Sequence, residues 1–185
     1  MMNKMIRRAA ILLTASALLS FGQDKKPDVE KLAPYYPTPE SVVEKMLAFG
    51  GLKAGEKFYD LGSGDGRVVV MAAQKFGADA TGIEMDSDLH KQSTDRIRAL
   101  GLESKARIIL GDIIKQNFSD ASLLTVYLLP SSNDKIRPML EKQLKKGTRI
   151  VSHDFTFSGW APDKEETIED DGEGRSHTIY LYVMK

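Results

Sequence analysis

The chain has 185 residues, with 26 basic and 26 acidic side chains, and 42% of its residues are hydrophobic. This length suffices for one globular domain with a sizeable core, and the balanced charge lacks the basic excess typical of nucleic-acid-binding domains. Cysteine is absent, which excludes a disulfide framework, a thiolate nucleophile and a cysteine metal site. The histidines His90, His153 and His177 have no metal-ligand spacing, so we expect no metal, no nucleic-acid partner and a monomer.

The first 22 residues differ from the rest of the chain. Lys4, Arg7 and Arg8 precede an apolar run at residues 9–19, and the segment ends at Gly22 without an acidic residue. This order predicts a secretory signal peptide, because the run is short for a membrane span of about 17–25 residues. A retained anchor, an organelle presequence and a misassigned start are the alternatives. We expect a protein that is exported to the periplasm or anchored at the inner membrane, with membrane association through residues 1–22.

Residues 23–37 are polar and contain three prolines, which predicts a linker or arm before a domain at 38–185. A helix is predicted from the Thr38 N-cap to the glycine pair at 50–51. Strands are then expected at 57–61, 78–84, 106–110, 123–129 and 148–153, and helices at 66–76, 87–100 and 133–145, with Ser87 as the cap of the second of these.

Apolar strands that alternate with helices indicate a parallel sheet with both faces covered. The tail breaks this rhythm, because residues 165–170 and 176–184 have the pattern of two strands joined by a short turn. The predicted fold is therefore α/β, a Rossmann-like doubly wound sheet that is mostly parallel and ends in an antiparallel C-terminal strand pair.

The turn after the first predicted strand is the most informative stretch of the sequence. It has glycine at every second position, Gly62, Gly64 and Gly66, and such a backbone can approach a ligand without side chains in the way. It differs from the dinucleotide fingerprint G-x-G-x-x-G. Asp60 and Asp65 would repel a phosphate but suit the sulfonium and ammonium of S-adenosylmethionine, so the turn favours this cofactor over NAD. A tight turn without a ligand is the alternative.

Further carboxylates follow the second and third predicted strands. Ligands of open α/β sheets bind outside the carboxyl ends of the strands, so these positions are candidates for the same site. Glu84 is placed to accept hydrogen bonds from both hydroxyls of a ribose, and its alternative is a solvated acid at a strand end. Asp112 is placed to accept from an adenine amine, with Ile113 against the ring, while its alternative is a helix N-cap.

These motifs together resemble the class I, seven-stranded S-adenosylmethionine-dependent methyltransferases. More narrowly, Tyr36-Pro37-Thr38-Pro39, the glycine loop ending at Arg67 and the segment at residues 155–162 are similar to a small family of protein-lysine methyltransferases. Mitochondrial members of that family modify the adenine nucleotide translocase and the ATP synthase c subunit. The resemblance covers about residues 35–185.

The resemblance implies a set of residues that hold S-adenosylmethionine: Thr38, Asp60, Gly62, Ser63, Gly64, Asp65, Glu84, Asp112, Ile113 and Leu129. It also places Leu128 and Pro130 beside the transferred methyl group. Many amine and amide methyltransferases carry Asn/Asp-Pro-Pro-Tyr/Phe there, so recognition of a nucleobase or glutamine amide through that motif is not expected. The long apolar stem of a lysine would fit along Leu128, Leu129 and Trp160.

The methyl group is already activated, so transfer depends mainly on orientation and on exclusion of water. An amine acceptor must also lose a proton, and Asp154 and Tyr36 are the catalytic candidates, whereas His153 is expected to be structural. Phe157 and Trp160 are candidates for an apolar wall of the substrate mouth, or for a flap that replaces a missing helix. The expected function is N-methylation of protein lysine; a small-molecule acceptor and a non-catalytic cofactor-binding module are the alternatives.

Overall fold

The structure is a computed structural model that describes residues 35–185. The predicted signal segment and residues 23–34 of the predicted arm lie outside the described residues, so their predictions stay predictions. In the part of the chain that is described, none of the helices combines the length and apolar character needed to span a membrane.

The described chain alternates between strands and helices. In chain order these are α1 (Glu40–Phe49), β1 (Lys57–Leu61), α2 (Arg67–Gln74), β2 (Asp79–Glu84), α3 (Ser87–Ala99), β3 (Ala106–Leu110), a 3-10 helix (Ile113–Lys115), β4 (Leu123–Val126), α4 (Pro130–Gln143), β5 (Arg149–His153), β6 (Lys164–Ile168) and β7 (His177–Val183).

All seven strands form one sheet in the order β3-β2-β1-β4-β5-β7-β6. The pairs among β1 to β5 are parallel, whereas β7 runs antiparallel to both β5 and β6. The predicted sheet and its antiparallel C-terminal pair are therefore confirmed. The strand order changes direction between β1 and β4, which is the switch point where open α/β sheets bind their ligands.

Apolar clusters cover both faces of the sheet, as expected for a doubly wound fold. One cluster includes Val43 of α1, Val69 of α2 and Ile97 of α3. The other includes Ile136 and Leu140 of α4. The edge strand β6 is exposed at four of its five positions, and its charged residues at 164–166 suit an unpaired sheet edge.

The first helix begins differently from the prediction. Thr38 is not its N-cap, because α1 starts at Glu40 with Pro39 at the cap position. The Thr38 hydroxyl instead lies 3.1 Å from the Nδ1 atom of His153. The arm is therefore tied to the end of β5 rather than to its own helix.

Two later helices also begin earlier or with another cap than predicted. The cap of α3 is Asp86 rather than Ser87, since the Asp86 carboxylate accepts from the backbone N–H of Asp88 and Leu89. The strand β4 ends at Val126 rather than at residue 129, because Leu129 is the N-cap of α4 and Pro130 is its first residue. Proline favours that position, where its missing N–H has no partner to lose.

Candidate functional site

A cleft lies at the carboxyl ends of β1, β2 and β4, beside the switch point of the sheet. Most of the predicted site residues line it, although they come from five separate stretches of the chain. They are Tyr36, Thr38, Asp60, Gly62, Ser63, Gly64, Asp65, Glu84, Asp112, Ile113 and Leu128. The sequence prediction of where the site lies therefore agrees with the geometry of the fold.

The glycine loop passes along the cleft in a backbone conformation that other residues rarely adopt. Gly62 has φ +85 and Gly64 has φ +53, in the left-handed region where a Cβ atom is strained. A Cβ on Gly64 would lie 2.8 Å from the ring of Tyr35, and one on Gly62 would lie 3.3 Å from the side chain of Leu128. Both glycines thus keep the cleft open between the loop and its opposite wall.

The carboxylate of Glu84 is held rigidly at the end of β2. One oxygen accepts from the backbone N–H of Gly64 at 2.8 Å. The other accepts from the N–H of Met85 at 2.9 Å and of Asp86 at 2.8 Å. A carboxylate has about four acceptor positions, so Glu84 retains acceptor capacity for a ligand hydroxyl while it fixes the glycine loop.

Asp60 lies at the buried end of the cleft, with 6% of its surface exposed. Its Oδ1 atom accepts a 2.7 Å hydrogen bond from the hydroxyl of Thr125 on β4. Burial raises the pKa of Asp60 to about 7, the hydrogen bond from Thr125 lowers it, and the charges of Glu84 and Asp65 raise it further. A cation in the cleft would favour the ionised form of this carboxyl group.

Asp65 does not offer a free carboxylate to a ligand, which corrects part of the charge argument made from the sequence. Arg67 binds both of its oxygens, at 2.9 Å between Nη2 and Oδ2, and Arg96 lies 3.4 Å from Oδ2. Burial alone would raise the pKa of Asp65, but the hydrogen bonds from Arg67 outweigh burial and lower it. The negative charge available to a cationic ligand is therefore that of Asp60 and Glu84.

Asp112 combines the two roles that were considered as alternatives. Its Oδ1 atom caps the 3-10 helix by accepting from the N–H of Ile114 at 3.0 Å, and its side chain also lines the cleft. The neighbouring Ile113 is 6% exposed and lies in the same wall. A carboxylate beside an apolar surface suits a flat base with an exocyclic amine.

Several residues that line the cleft were not predicted from the sequence. Tyr35, Met46 and Leu89 are apolar residues of the arm and helices, and Tyr127 follows β4. Burial and the neighbouring Asp154 raise the pKa of Tyr127 to about 12. Its position directly after a buried strand was the signal that could have identified it, but the prediction extended that strand to residue 129.

Some predicted residues do not lie in the cleft. Asp154 lies behind it and contacts it through Tyr127, whose hydroxyl donates to Oδ2 of Asp154 at 3.3 Å. Leu129 is exposed at the start of α4, next to Pro130, and neither lines the cleft. The placement of these residues corrects their predicted direct contact with the cofactor or the methyl group.

The predicted apolar wall of Phe157 and Trp160 is also corrected. Phe157 is 1% exposed, and its ring packs on Trp160 at 5.1 Å and edge-on against Tyr182 at 5.4 Å between centroids. Trp160 donates its indole N–H to Glu141 of α4 at 3.0 Å. This segment belongs to the core under α4, so the alternative of a flap that covers the sheet is the correct one.

These residues fit S-adenosylmethionine. Glu84 supplies the acceptor for ribose hydroxyls, Asp112 and Ile113 supply the surface for adenine, and Asp60 supplies negative charge for the methionine end. The strained glycines leave room for a ligand that runs along the loop. The donor and acceptor chemistry of the cleft thus agrees with the cofactor expected from the sequence.

Comparison with known proteins leads to the same class. Residues 60–164 match the family described as the ANTKMT methyltransferase domain. The chain is 39% identical over 152 residues to a protein-lysine N-methyltransferase of Saccharolobus islandicus, which covers 82% of this chain and 93% of that protein. It is 30% identical over 151 residues to the mouse lysine N-methyltransferase of the ATP synthase c subunit, which covers 82% of this chain and 58% of the mouse protein.

Solved structures agree with this assignment. An RNA methyltransferase from Salinibacter ruber, in complex with S-adenosyl-L-homocysteine, has 41% sequence identity and a TM-score of 0.74, over 80% of this chain and 94% of that one. TrmN from Thermus thermophilus, at 13% identity and a TM-score of 0.67, shares the fold. The cofactor is S-adenosylmethionine, and the chain belongs to the ANTKMT methyltransferase domain family.

Proposed function

We propose that this methyltransferase transfers methyl groups to the side-chain amine of lysine in a protein. The observation that carries the proposal is the similarity to the Saccharolobus islandicus protein-lysine N-methyltransferase at 39% identity, since the alignment covers 93% of that protein. The match therefore includes the whole catalytic domain rather than the cofactor loop alone.

The shape of the cleft supports a lysine acceptor. Leu128 presents an apolar side chain to the cleft directly after β4. Tyr35 and Tyr36 line the same cleft and are 51% and 54% exposed, so they lie at its mouth. Apolar and aromatic walls suit the four-carbon stem of lysine, whose amine is the only polar group that must reach the methyl donor.

The cofactor supplies a methyl group on a sulfonium, so the chain's own residues need only orient the amine, exclude water and assist loss of its proton. Tyr36 offers a phenol oxygen in the cleft, where it also accepts a hydrogen bond from Arg175. Tyr127 keeps its proton at neutral pH because its pKa is about 12. We assign proton acceptance to Tyr36, and to Asp154 the role of positioning Tyr127.

The proposal is tested with the full chain, tritiated S-adenosylmethionine and three separate acceptor preparations. These are a protein extract from cells that lack the enzyme, total RNA from the same cells and a mixture of small amines. After acid hydrolysis of the labelled protein, the expected product is tritiated methyl-lysine. Glu84→Gln should abolish the label, whereas Glu103→Gln, at an exposed glutamate, should retain it. Label that appears only in RNA or only in small amines would contradict the proposal.

We further propose that residues 1–22 direct the domain to or across the inner membrane. The support is the order of the segment, in which basic residues precede a short apolar run and a small residue. Cell fractionation and N-terminal sequencing test it. A mature N terminus near residue 23 in the periplasm would support export, and an intact chain in the membrane fraction would support an anchor. An intact chain in the soluble cytoplasmic fraction would contradict both.

A further inference from the structure

Three donor atoms converge behind the cleft, at the end of β5 and the start of β7. The Nε2 atom of His153 lies 2.9 Å from Nδ1 of His177. The Oδ2 atom of Asp154 lies 3.1 Å from Nδ1 of His177 and 3.4 Å from Nε2 of His153. These three atoms therefore form a nearly equilateral triangle.

Antiparallel pairing brings these residues together, although 24 positions separate His153 from His177. His153 is the last residue of β5 and His177 is the first residue of β7, so the two ends meet where the strands pair. His153 and His177 are 0% and 5% exposed. Spacing along the sequence gave no indication of a metal site, because the site depends on this pairing.

The other polar atoms of the three side chains are already engaged outside the triangle. The second ring nitrogen of His177 lies 3.3 Å from the buried carboxylate of Asp171. The second ring nitrogen of His153 lies 3.1 Å from the hydroxyl of Thr38. Histidines that bind metals almost always direct their other nitrogen at such an oxygen, which fixes the ring and its tautomer.

These outer contacts leave too few hydrogens for the triangle itself. A carboxylate only accepts, so His177 donates to Asp171 from Nε2, and a neutral His177 ring then has a lone pair on Nδ1. A hydrogen on His153 Nε2 would bridge to that lone pair, yet His177 Nδ1 and Asp154 Oδ2 would still face each other as two acceptors 3.1 Å apart. Such an arrangement of acceptors calls for a cation at its centre.

The backbone of Asp154 adds an independent observation. It has φ 56, and it is the one residue other than glycine with positive φ among residues 35–185. Such a conformation is costly for a residue with a side chain and is kept where a site requires it. Here it directs Oδ2 at the two imidazoles, while the N–H of Thr178 donates to Oδ1 at 2.9 Å.

We propose that His153, Asp154 and His177 bind a divalent transition-metal ion. An ion about 2.1 Å from each of three ligands, at angles between a right angle and the tetrahedral angle, separates the ligands by about 3.0–3.4 Å, which is close to the observed triangle. Two imidazoles and one carboxylate suit Zn²⁺. Asp154 keeps 26% of its side chain exposed, so water completes the coordination on that side. The ion fastens the C-terminal strand β7 to β5 and, through Thr38, to the arm.

The test uses the full chain, stripped with EDTA and titrated with ZnCl₂ by calorimetry, with the metal content measured after gel filtration. One Zn²⁺ per chain is expected for the wild type and for His90→Gln, the matched control at the one histidine outside the cluster. His177→Gln should lose the ion. Asp171→Asn, which keeps all three ligands, should bind it about 10–100-fold more weakly.

Histidine ring NMR of the wild type gives a second measurement that needs no variant. Added Zn²⁺ should shift the ring signals of His153 and His177 and leave those of His90 unchanged. The proposal is overturned if the stripped chain binds no Zn²⁺ and these signals do not move, or if His90→Gln loses the ion as His177→Gln does. Neither readout depends on methyl transfer, so the result is separate from that for the proposed function.

Discussion

The hydroxyl of Thr125 donates a 2.7 Å hydrogen bond to the carboxyl group of Asp60 across the switch point of the sheet. The two residues are register partners on β4 and β1, so the bond is fixed by the pairing of the strands. Thr125 is fully buried and Asp60 is 6% exposed. The relationship places a titratable group, with a pKa of about 7, at the buried end of the cofactor cleft.

The raised pKa of Asp60 gives stability a definite pH dependence. The folded chain holds this proton at pH values where the unfolded chain, with an ordinary aspartate pKa of 3.8, has lost it. The contribution of the group to stability is therefore complete below the unfolded pKa and is lost as the pH rises through about 7. Denaturation by urea at several pH values should show this trend, and Asp60→Asn should reduce it.

Cofactor affinity should have the opposite dependence, because a cationic ligand prefers the ionised carboxyl group. Affinity for S-adenosylmethionine should rise by up to about tenfold per pH unit below the midpoint and then level off. Thr125→Val removes a hydrogen bond that lowers the pKa of Asp60, so its midpoint should move to higher pH, while Thr125→Ser should resemble the wild type. The same midpoint in Thr125→Val and in the wild type would contradict this role.

Gly64 offers a test of the close approach between the loop and the arm. In Gly64→Ala, strain at φ +53 should cost about 1–3 kcal/mol of stability, and the Tyr35 ring must move away from the new methyl group. Gly101→Ala is the matched control, since Gly101 has φ +65 and no other side chain or backbone atom within 4 Å of where a Cβ would lie. Both variants should lose stability, but only Gly64→Ala should bind the cofactor at least about tenfold more weakly. Equal cofactor affinities would show that Gly64 serves the turn alone.

Local sequence signals predicted the part of the site that comes from single strand ends. Each parallel strand is a short apolar run, and the residues after it, from Asp60 to Gly64 and then Glu84, are read directly from the sequence. The helix caps were less predictable, because Thr38 and Ser87 have a capping side chain but tertiary contacts or a neighbouring Asp86 decided the outcome.

Non-local pairing explains what the sequence could not provide. The burial of Phe157 depends on Tyr182 and α4, which are distant in the chain. The contact between Tyr127 and Asp154 depends on where β4 and β5 end. The convergence of His153 and His177 depends on the antiparallel pairing of β5 and β7. None of these has a signature within one local window of sequence.

The buried position of Phe157 predicts a role in stability rather than in substrate binding. Phe157→Ala should lose about 3–5 kcal/mol of stability because it leaves a cavity under α4. The affinity for S-adenosylmethionine and the KM for the acceptor should stay unchanged at a temperature where the variant is folded. Leu100→Ala is the control, since Leu100 is 45% exposed and should cost little. A raised acceptor KM with unchanged stability would restore Phe157 to the substrate mouth.

The most direct test of the cofactor site is calorimetric titration of the full chain with S-adenosylmethionine, together with Glu84→Gln and Glu103→Gln. The wild type should bind one equivalent. Glu84→Gln should bind about 10–100-fold more weakly, because hydrogen bonds to an ionised group contribute about 1.5–3 kcal/mol, and Glu103→Gln should match the wild type. Circular dichroism verifies that each variant is folded. Equal affinity in a folded Glu84→Gln, or no binding by the folded wild type, would contradict the placement of S-adenosylmethionine at the acidic edge of this cleft.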